Sequence, residues 1–243
     1  MRLHRFYIST LVSSSSALGA SKTLEVTDRD LIHQWRNVFR YNVGSQVILF
    51  DGSGIDYLCM ISSLRNLGAT VSVLRETKIT KKIGRMIWLC QALIKKDNFE
   101  MVTQKVVEIG VSVIVPILAE RSEKKKVNME RLKKIAVEAS EQSGRADVPE
   151  IFEETTLVDL FESGALPPDK IALDLTGIDF HKFVSGLNPV GAIAVFVGPE
   201  GGWSEKEIEF FKQHNVSILS LGSQILRAET ASIAISSLLL LSK

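Results

Sequence analysis

The stretch VFVGPEGGWSEKEIEFF, Val195–Phe211, decides the fold. A β-branched and aromatic run stops at Gly198, and Pro199, Gly201 and Gly202 follow within four residues. Glycines there permit positive φ and let a ligand come close to the backbone. Ser204 then stands three residues before Glu207, the spacing of a reciprocal helix cap. The stretch reads as a buried strand, a glycine loop and a helix.

Working outward, similar apolar runs recur: MIWLCQAL (86–93), VSVIVPIL (111–118), KIALDL (170–175), GAIAVFV (191–197) and VSILSL (216–221). Unbroken apolar runs of this length suit strands covered on both faces. Helical segments separate them. One opens on a capping box of Asp97 and Glu100 and ends at Gly110. Another, NMERLKKIAVEASEQSG, sets Met129, Leu132, Ile135, Ala136 and Ala139 on one face. The tail ASIAISSLLLLSK is too short and too rich in serine to span a bilayer and reads as a buried helix. Strands alternating with helices predict an α/β fold with a parallel sheet covered on both sides.

Toward the N-terminus the rhythm changes. QVILF (46–50), the turn DGSG (51–54) and YLCMIS (57–62) form a hairpin pattern, and ATVSVL (69–74) follows a further glycine turn. With one helix near TDRDLIHQWRNVF, which Thr27 can cap, this predicts a small β-barrel or sandwich. The polar, basic segment RETKITKKIG (75–84) has no apolar period and marks the boundary between a domain of residues 1–76 and one of residues 77–243. The opening MRLHRFYISTLVSSSSALGA has an apolar patch too short and broken for an export signal and reads as a strand followed by a polar serine loop.

Net charge is +1, but its distribution is uneven. Residues 1–149 hold 23 Lys and Arg against 15 Asp and Glu, or +8; residues 150–243 hold 6 against 13, or −7. Such a split predicts that one half meets a polyanion and the other does not. The densest basic stretches are Arg75–Arg85 and Arg121–Lys134. Cys59 and Cys90 sit in separate apolar runs, form no CxxC and predict a reduced, cytoplasmic compartment. No His/Cys cluster has metal-ligand spacing, so no metal is expected.

In an open parallel sheet, ligands bind outside the carboxyl ends of the strands. Three loops leave such ends: DLTG (174–177), GPEGG (198–202) and GSQILRAETA (222–231). A phosphate is the wrong guest for them. Neither GxGxxG nor GxxxxGK[ST] occurs, GPEGG supplies no lysine, and Glu200 and Glu229 would face the anion. The loops suit a neutral or cationic ligand held by backbone groups and apolar side chains. S-adenosylmethionine meets that description, with a sulfonium cation, an adenine and no phosphate.

FVGPEGGWSEKEI followed by SLGSQILRAETA resembles the C-terminal signature of the RsmE family, ribosomal RNA uridine N3-methyltransferases of the SPOUT superfamily. HRFYI (4–8), HQWRNVFR (33–40), QALIKKDNFEMVTQKVVEIGVSVIVPILAERS (91–122) and AVEASEQSGRADVPEI (136–151) extend the likeness over the chain. The resemblance implies a PUA-like RNA-binding β-barrel followed by a dimerising SPOUT domain whose C-terminal chain forms a trefoil knot. It also implies S-adenosylmethionine as cofactor, small-subunit (16S) ribosomal RNA or the subunit itself as partner, and a homodimer. Carried over, Val197, Gly198, Glu200, Gly201 and Gly202 form the middle cofactor loop. Leu221, Gly222, Ile225, Leu226 and Ala231 wrap the adenine, with Arg227, Glu229 and Thr230 beside them and Leu175 and Thr176 as the remaining wall.

For the chemistry, Arg145 is the candidate to face the developing uridine anion, with a surface arginine after a C-cap glycine as the other reading. Gln142 stands one turn earlier and could touch the base edge. Glu229 either takes the imide proton or orients its loop. RNA contacts are expected from Arg5, His33, Arg36 and Arg40, and from Lys95, Lys96, Lys105 and Arg121; His181 and His214 are read as structural. Departures from the family pattern are Ser223-Gln224, where a basic residue usually precedes ILR, together with Trp35 and Phe39. The alternatives are a SPOUT enzyme acting on another base or a ribose 2′-hydroxyl, and a non-catalytic ribosome-assembly protein.

Overall fold

A computed structural model of the chain describes residues 3–9, 12–14, 22–79, 84–123, 126–145, 147–184 and 190–241. Parts of the serine loop and of both basic stretches, including Lys81, Lys82, Lys124 and Lys125, lie outside the described residues. The chain separates into two compact units, residues 1–81 with 140–147, and residues 82–139 with 148–243. Segment 140–147 groups with the first unit.

The first unit contains β1 (Arg5–Tyr7), β2 (Val12–Ser14), β3 (Thr23–Val26), α1 (Arg29–His33), β4 (Gln46–Phe50), β5 (Ile55–Arg65) and β6 (Gly68–Lys78). The strands form one sheet in the order β1-β4-β5-β6-β3-β2, with β1 parallel to β4 and every other pair antiparallel. Alternation along β4 and β5 buries Val47, Leu49, Tyr57, Cys59 and Ile61 against Phe6, Leu24 and Trp35. Burial pushes the Cys59 thiol up to about 12. Two expectations are corrected here. Asp28, not Thr27, caps α1, its Oδ1 accepting from the Asp30 and Leu31 amides, because a carboxylate reaches both amides from the N-cap position. Strand β6 also continues to Lys78, since its partner β5 runs back to Ile55 and pairs residues 75–78 of the supposed linker.

The second unit has β7 (Arg85–Ala92), α2 (Lys96–Ile109), β8 (Val113–Ile117), α3 (Met129–Ser143, of which residues 129–139 belong here), β9 (Glu150–Ile151) and α4 (Leu157–Glu162). It continues through β10 (Asp169–Asp179), α5 (Phe180–Val184), β11 (Gly191–Val197), α6 (Glu205–Gln213), β12 (Ser217–Ser220) and α7 (Ala228–Leu241). The sheet order is β12-β10-β11-β7-β8-β9 and every pair is parallel. Two apolar cores flank it. One holds Leu89, Phe99, Val106, Ile193 and Ile235; the other holds Cys90, Val115, Phe196, Trp203 and Phe211. That is why β7 and β11 read as unbroken apolar runs: both faces are covered.

Capping divides along the same lines. Ser204 and Glu207 form the expected capping box of α6, and Glu207 Oε1 also accepts from the Glu120 amide at 2.9 Å. The box expected at Asp97 and Glu100 is absent. Helix α2 begins two residues earlier than that box allows, its N-cap Lys95 makes no side-chain capping bond, and Glu100 instead pairs with Lys96 and Arg131.

Candidate functional site

Register brings three strand ends level. Leu173 of β10 pairs with Val197 of β11 on one side and Leu219 of β12 on the other, and Val197 pairs with Gln91 of β7. The three loops that follow therefore emerge side by side. DLTG is not a loop after a finished strand, as expected, but an excursion within β10. Both Leu173 and Ile178 register against Leu219, so Asp174–Gly177 stand outside the ladder. Asp174 closes this excursion, its Oδ1 accepting from the Thr176 amide at 2.9 Å and from the Thr176 hydroxyl at 2.6 Å. Gly177 brings the chain back against β12 so tightly that a Cβ there would lie 2.5 Å from the Leu219 nitrogen.

Between the three loops lies a cleft of about 300 Å³. Of the residues expected to hold a ligand, Leu175, Val197, Gly198, Glu200, Gly202, Leu221, Gly222, Ile225, Leu226, Arg227 and Ala231 line it. Thr176, Gly201 and Thr230 are not among its walls. Thr176 serves Asp174, and Thr230 is exposed on α7. Gly201 faces Arg121, whose Cβ would stand 3.3 Å from a Cβ at Gly201. Sequence reasoning missed Asp174, Pro199, Trp203, Ser220, Gln224 and Ala228, which also line the cleft. Asp174 stands inside the quoted DLTG and Trp203 directly follows GPEGG, so proximity in sequence was the available signal.

Gly198 lies against the Trp203 indole, which a Cβ would meet at 3.3 Å; Gly202 and Gly222 have φ of +69° and +135°. The loop is clipped from two directions. Arg121 donates through Nη1 to the carbonyls of Gly201 and Trp203 at 3.0 and 3.2 Å, and Glu200 Oε1 accepts from the Lys95 amide at 3.3 Å. Glu200 thus closes the start of α2, a role local spacing could not reveal. Trp203 Nε1 is buried and has no hydrogen-bond partner among the described residues. Glu229, in the first turn of α7, is 6% exposed; its Oε1 lies 3.9 Å from Arg227 Nη1, and its Oε2 has no hydrogen-bond partner among the described residues. A buried carboxylate oxygen without a donor is uncommon.

The other candidates are not among the residues that line the cleft. In the first unit Arg5 is nearly buried, bound to Asp56 through Nε and Nη2 at 3.1 and 2.6 Å, stacked 4.5 Å over Phe50 and bonded to the Arg145 carbonyl at 2.9 Å. Its guanidinium donors serve contacts within the first unit. Tyr7 donates its amide to Glu141 Oε1 at 2.8 Å, so segment 140–147 is tied down on both sides of exposed Gln142. Arg145 follows Gly144, whose φ is +79°, and is not a surface residue: its side chain is 11% exposed and pairs with Asp147 at 3.1 Å. His33, Arg36 and Arg40 are exposed; Arg36 bonds Asn66 Oδ1, and Arg40 has φ +54°. In the second unit Lys95 is exposed, Lys96 lies 3.7 Å from Glu100, and Lys105 pairs with Glu108 at 2.9 Å. No group of three or more metal-ligating side chains is placed for an ion among the described residues, and no helix among them is long and apolar enough to cross a membrane.

The cleft fits a cationic nucleoside. Its walls are largely apolar, its glycines leave backbone exposed, and its charged lining is Asp174 and Glu200 against Arg227. Residues 81–240 match the model of the RNA methyltransferase domain, and residues 36–74 match that of the RNA methyltransferase PUA domain. The chain is 29% identical over 242 residues to ribosomal RNA small subunit methyltransferase E of Rickettsia conorii, covering 96% of this chain and 93% of that one. It is 32% identical over 221 residues to ribosomal RNA small subunit methyltransferase E 2 of Borreliella burgdorferi, covering 87% and 88%. Among solved structures, that of ribosomal RNA small subunit methyltransferase E from Neisseria gonorrhoeae bound to S-adenosylmethionine superimposes with a TM-score of 0.82 at 27% identity, covering 97% and 96%. A cleft built for a cation at three parallel strand ends, in a chain matched along its length by these proteins, places it in the ribosomal RNA small subunit methyltransferase E family, the RsmE family.

Proposed function

We propose that this chain transfers the methyl group of S-adenosylmethionine to N3 of a uridine in small-subunit (16S) ribosomal RNA. The observation that carries the reading is the cleft: apolar walls, exposed loop backbone and two carboxylates at adjacent strand ends, a poor site for phosphate and a good one for a sulfonium nucleoside. When bound, S-adenosylmethionine supplies an electrophilic methyl on positively charged sulfur. The chain's own contribution is alignment and electrostatics. Gly198 and Gly202 keep side chains out of the ligand's path, while Leu221, Leu226 and Ala231 provide apolar wall. Arg145 is assigned the charge that stabilises the uridine anion, and Glu229 the proton or the orientation of its loop. Because pairing hides N3, the target base must be unpaired or turned out of its helix.

The same reading assigns residues 1–76 to RNA binding and residues 77–243 to catalysis. It ties the C-terminal chain in a trefoil knot, a topology supported by the convergence of residues 174–177, 198–202 and 221–227 on one cleft. A homodimer is supported by Leu175 and Ile225, apolar cleft residues 53% and 84% exposed on the single chain. A cytoplasmic setting accords with two free, buried cysteines. The test is incubation of unmodified 16S RNA or small subunits with the protein and S-adenosylmethionine, followed by mass analysis of the nucleosides. N3-methyluridine is the expected product. A ribose methyl or another methylated base would replace this reading with a different transfer, and no heat on titrating S-adenosylmethionine would replace it with RNA binding alone.

A further inference from the structure

We propose that Asp174 is the residue by which the cleft tells the positively charged methyl donor from the neutral product left after transfer. The inference rests on reading the cleft as an S-adenosylmethionine site. Three carboxylates lie on or beside it, and their surroundings differ. Glu200 gives Oε1 to the Lys95 amide at 3.3 Å, at the start of α2, so the positive end of a helix already meets its charge. Glu229 is not part of the lining, and its Oε1 faces Arg227 at 3.9 Å. Asp174 lines the cleft and is half-buried, and its bonds are to neutral groups, the Thr176 amide and hydroxyl, both on Oδ1. Among the described residues no Lys, Arg or His nitrogen lies within ion-pairing distance of it. Arg227 is the one cation on the described lining, and its side chain is 84% exposed.

Asp174 therefore presents to the cleft a carboxylate that neighbouring dipoles orient and with which no cation among the described residues pairs. Methyl transfer turns a sulfonium into a thioether and removes the positive charge on sulfur. A carboxylate that faces the sulfur attracts the donor and is indifferent to S-adenosylhomocysteine, which favours exchange of product for fresh donor. A carboxylate that instead faced the amino-acid ammonium would attract both alike, since both carry that group. Comparison of the two ligands separates these arrangements.

The experiment is titration calorimetry of the full chain with S-adenosylmethionine and with S-adenosylhomocysteine, on the parent protein, Asp174→Asn and Asp174→Glu. Asparagine keeps Oδ1 as the acceptor for Thr176, so the excursion in β10 stays closed while the charge is lost. The expected result is a donor-to-product affinity ratio about tenfold lower in Asp174→Asn, equivalent to about 1.4 kcal/mol, with most of the ratio restored in Asp174→Glu. An equal loss for both ligands, or an unchanged ratio, overturns the assignment of Asp174 while the cleft remains a methyl-donor site. A parent protein that binds neither ligand overturns the reading of the cleft and this inference with it.

Discussion

A methyl group built on Gly177 would stand 2.5 Å from the Leu219 nitrogen and 2.6 Å from the Ile218 carbonyl carbon, both backbone atoms that cannot swing aside. Gly177→Ala should therefore force β10 away from β12 and cost about 3 kcal/mol or more, read as a lower midpoint in urea denaturation. A change within about 0.5 kcal/mol would show that the excursion is pliable. Gly201 behaves differently: its Cβ position faces Arg121 and not the cleft, so bulk there strains a clamp and does not block a ligand directly. Arg145 carries two roles that one substitution can separate. Arg145→Ala removes the ion pair with half-buried Asp147 and should lower thermal stability. If Arg145 also stabilises the uridine anion, turnover per folded molecule should fall by about two orders of magnitude. Lost stability with near-parental turnover would leave it the structural role alone.

At the scale of elements, α6 is the part whose start was most legible. Ser204 accepts from the Glu207 amide at 3.3 Å, and Glu207 returns Oε2 to the Ser204 amide at 2.8 Å. Ser204→Ala should cost about 1 kcal/mol. Glu207→Ala should cost more, because Glu207 Oε1 also holds the Glu120 amide. Chemical denaturation of both variants checks the order, and a smaller loss for Glu207→Ala would contradict it. The start of α2 was misread for a related reason. Asp97 and Glu100 have capping-box spacing, but the amide at that end finds its acceptor in Glu200, 105 residues away in sequence. Spacing reports only partners within a few residues. β10 shows the same limit: its interruption at DLTG was visible, whereas its resumption at Ile178 required β12 beside it.

Across the whole molecule, the two units answer different questions. The cleft belongs to the second, so a saturating methyl donor should stabilise that unit. At one hundred times its dissociation constant the gain is about 2.7 kcal/mol, or a rise of roughly 5–10 °C in the melting temperature of a chain this size. Differential scanning calorimetry checks this, and in a profile with two transitions only one should move. A ligand that shifted both transitions equally, or neither, would contradict the assignment of the cleft to residues 82–139 and 148–243. The charge split, +8 before residue 150 and −7 from there on, is a property of this scale too.

The sequence by itself determined the order and type of most elements, the parallel sheet, the three glycine-bearing loops and the cationic character of their guest. Those follow from periodicity, turn chemistry and charge, all of which act between near neighbours along the chain. The tertiary structure alone decided which charges were still available. Arg5 is taken up by Asp56 and Phe50, Arg121 by the glycine loop, Glu200 by the start of α2 and Arg145 by Asp147, while Asp174 is left facing the cleft. Most of those partners lie tens of residues apart, and a side chain that is unpaired in sequence becomes bound or free only when folding sets its neighbours around it.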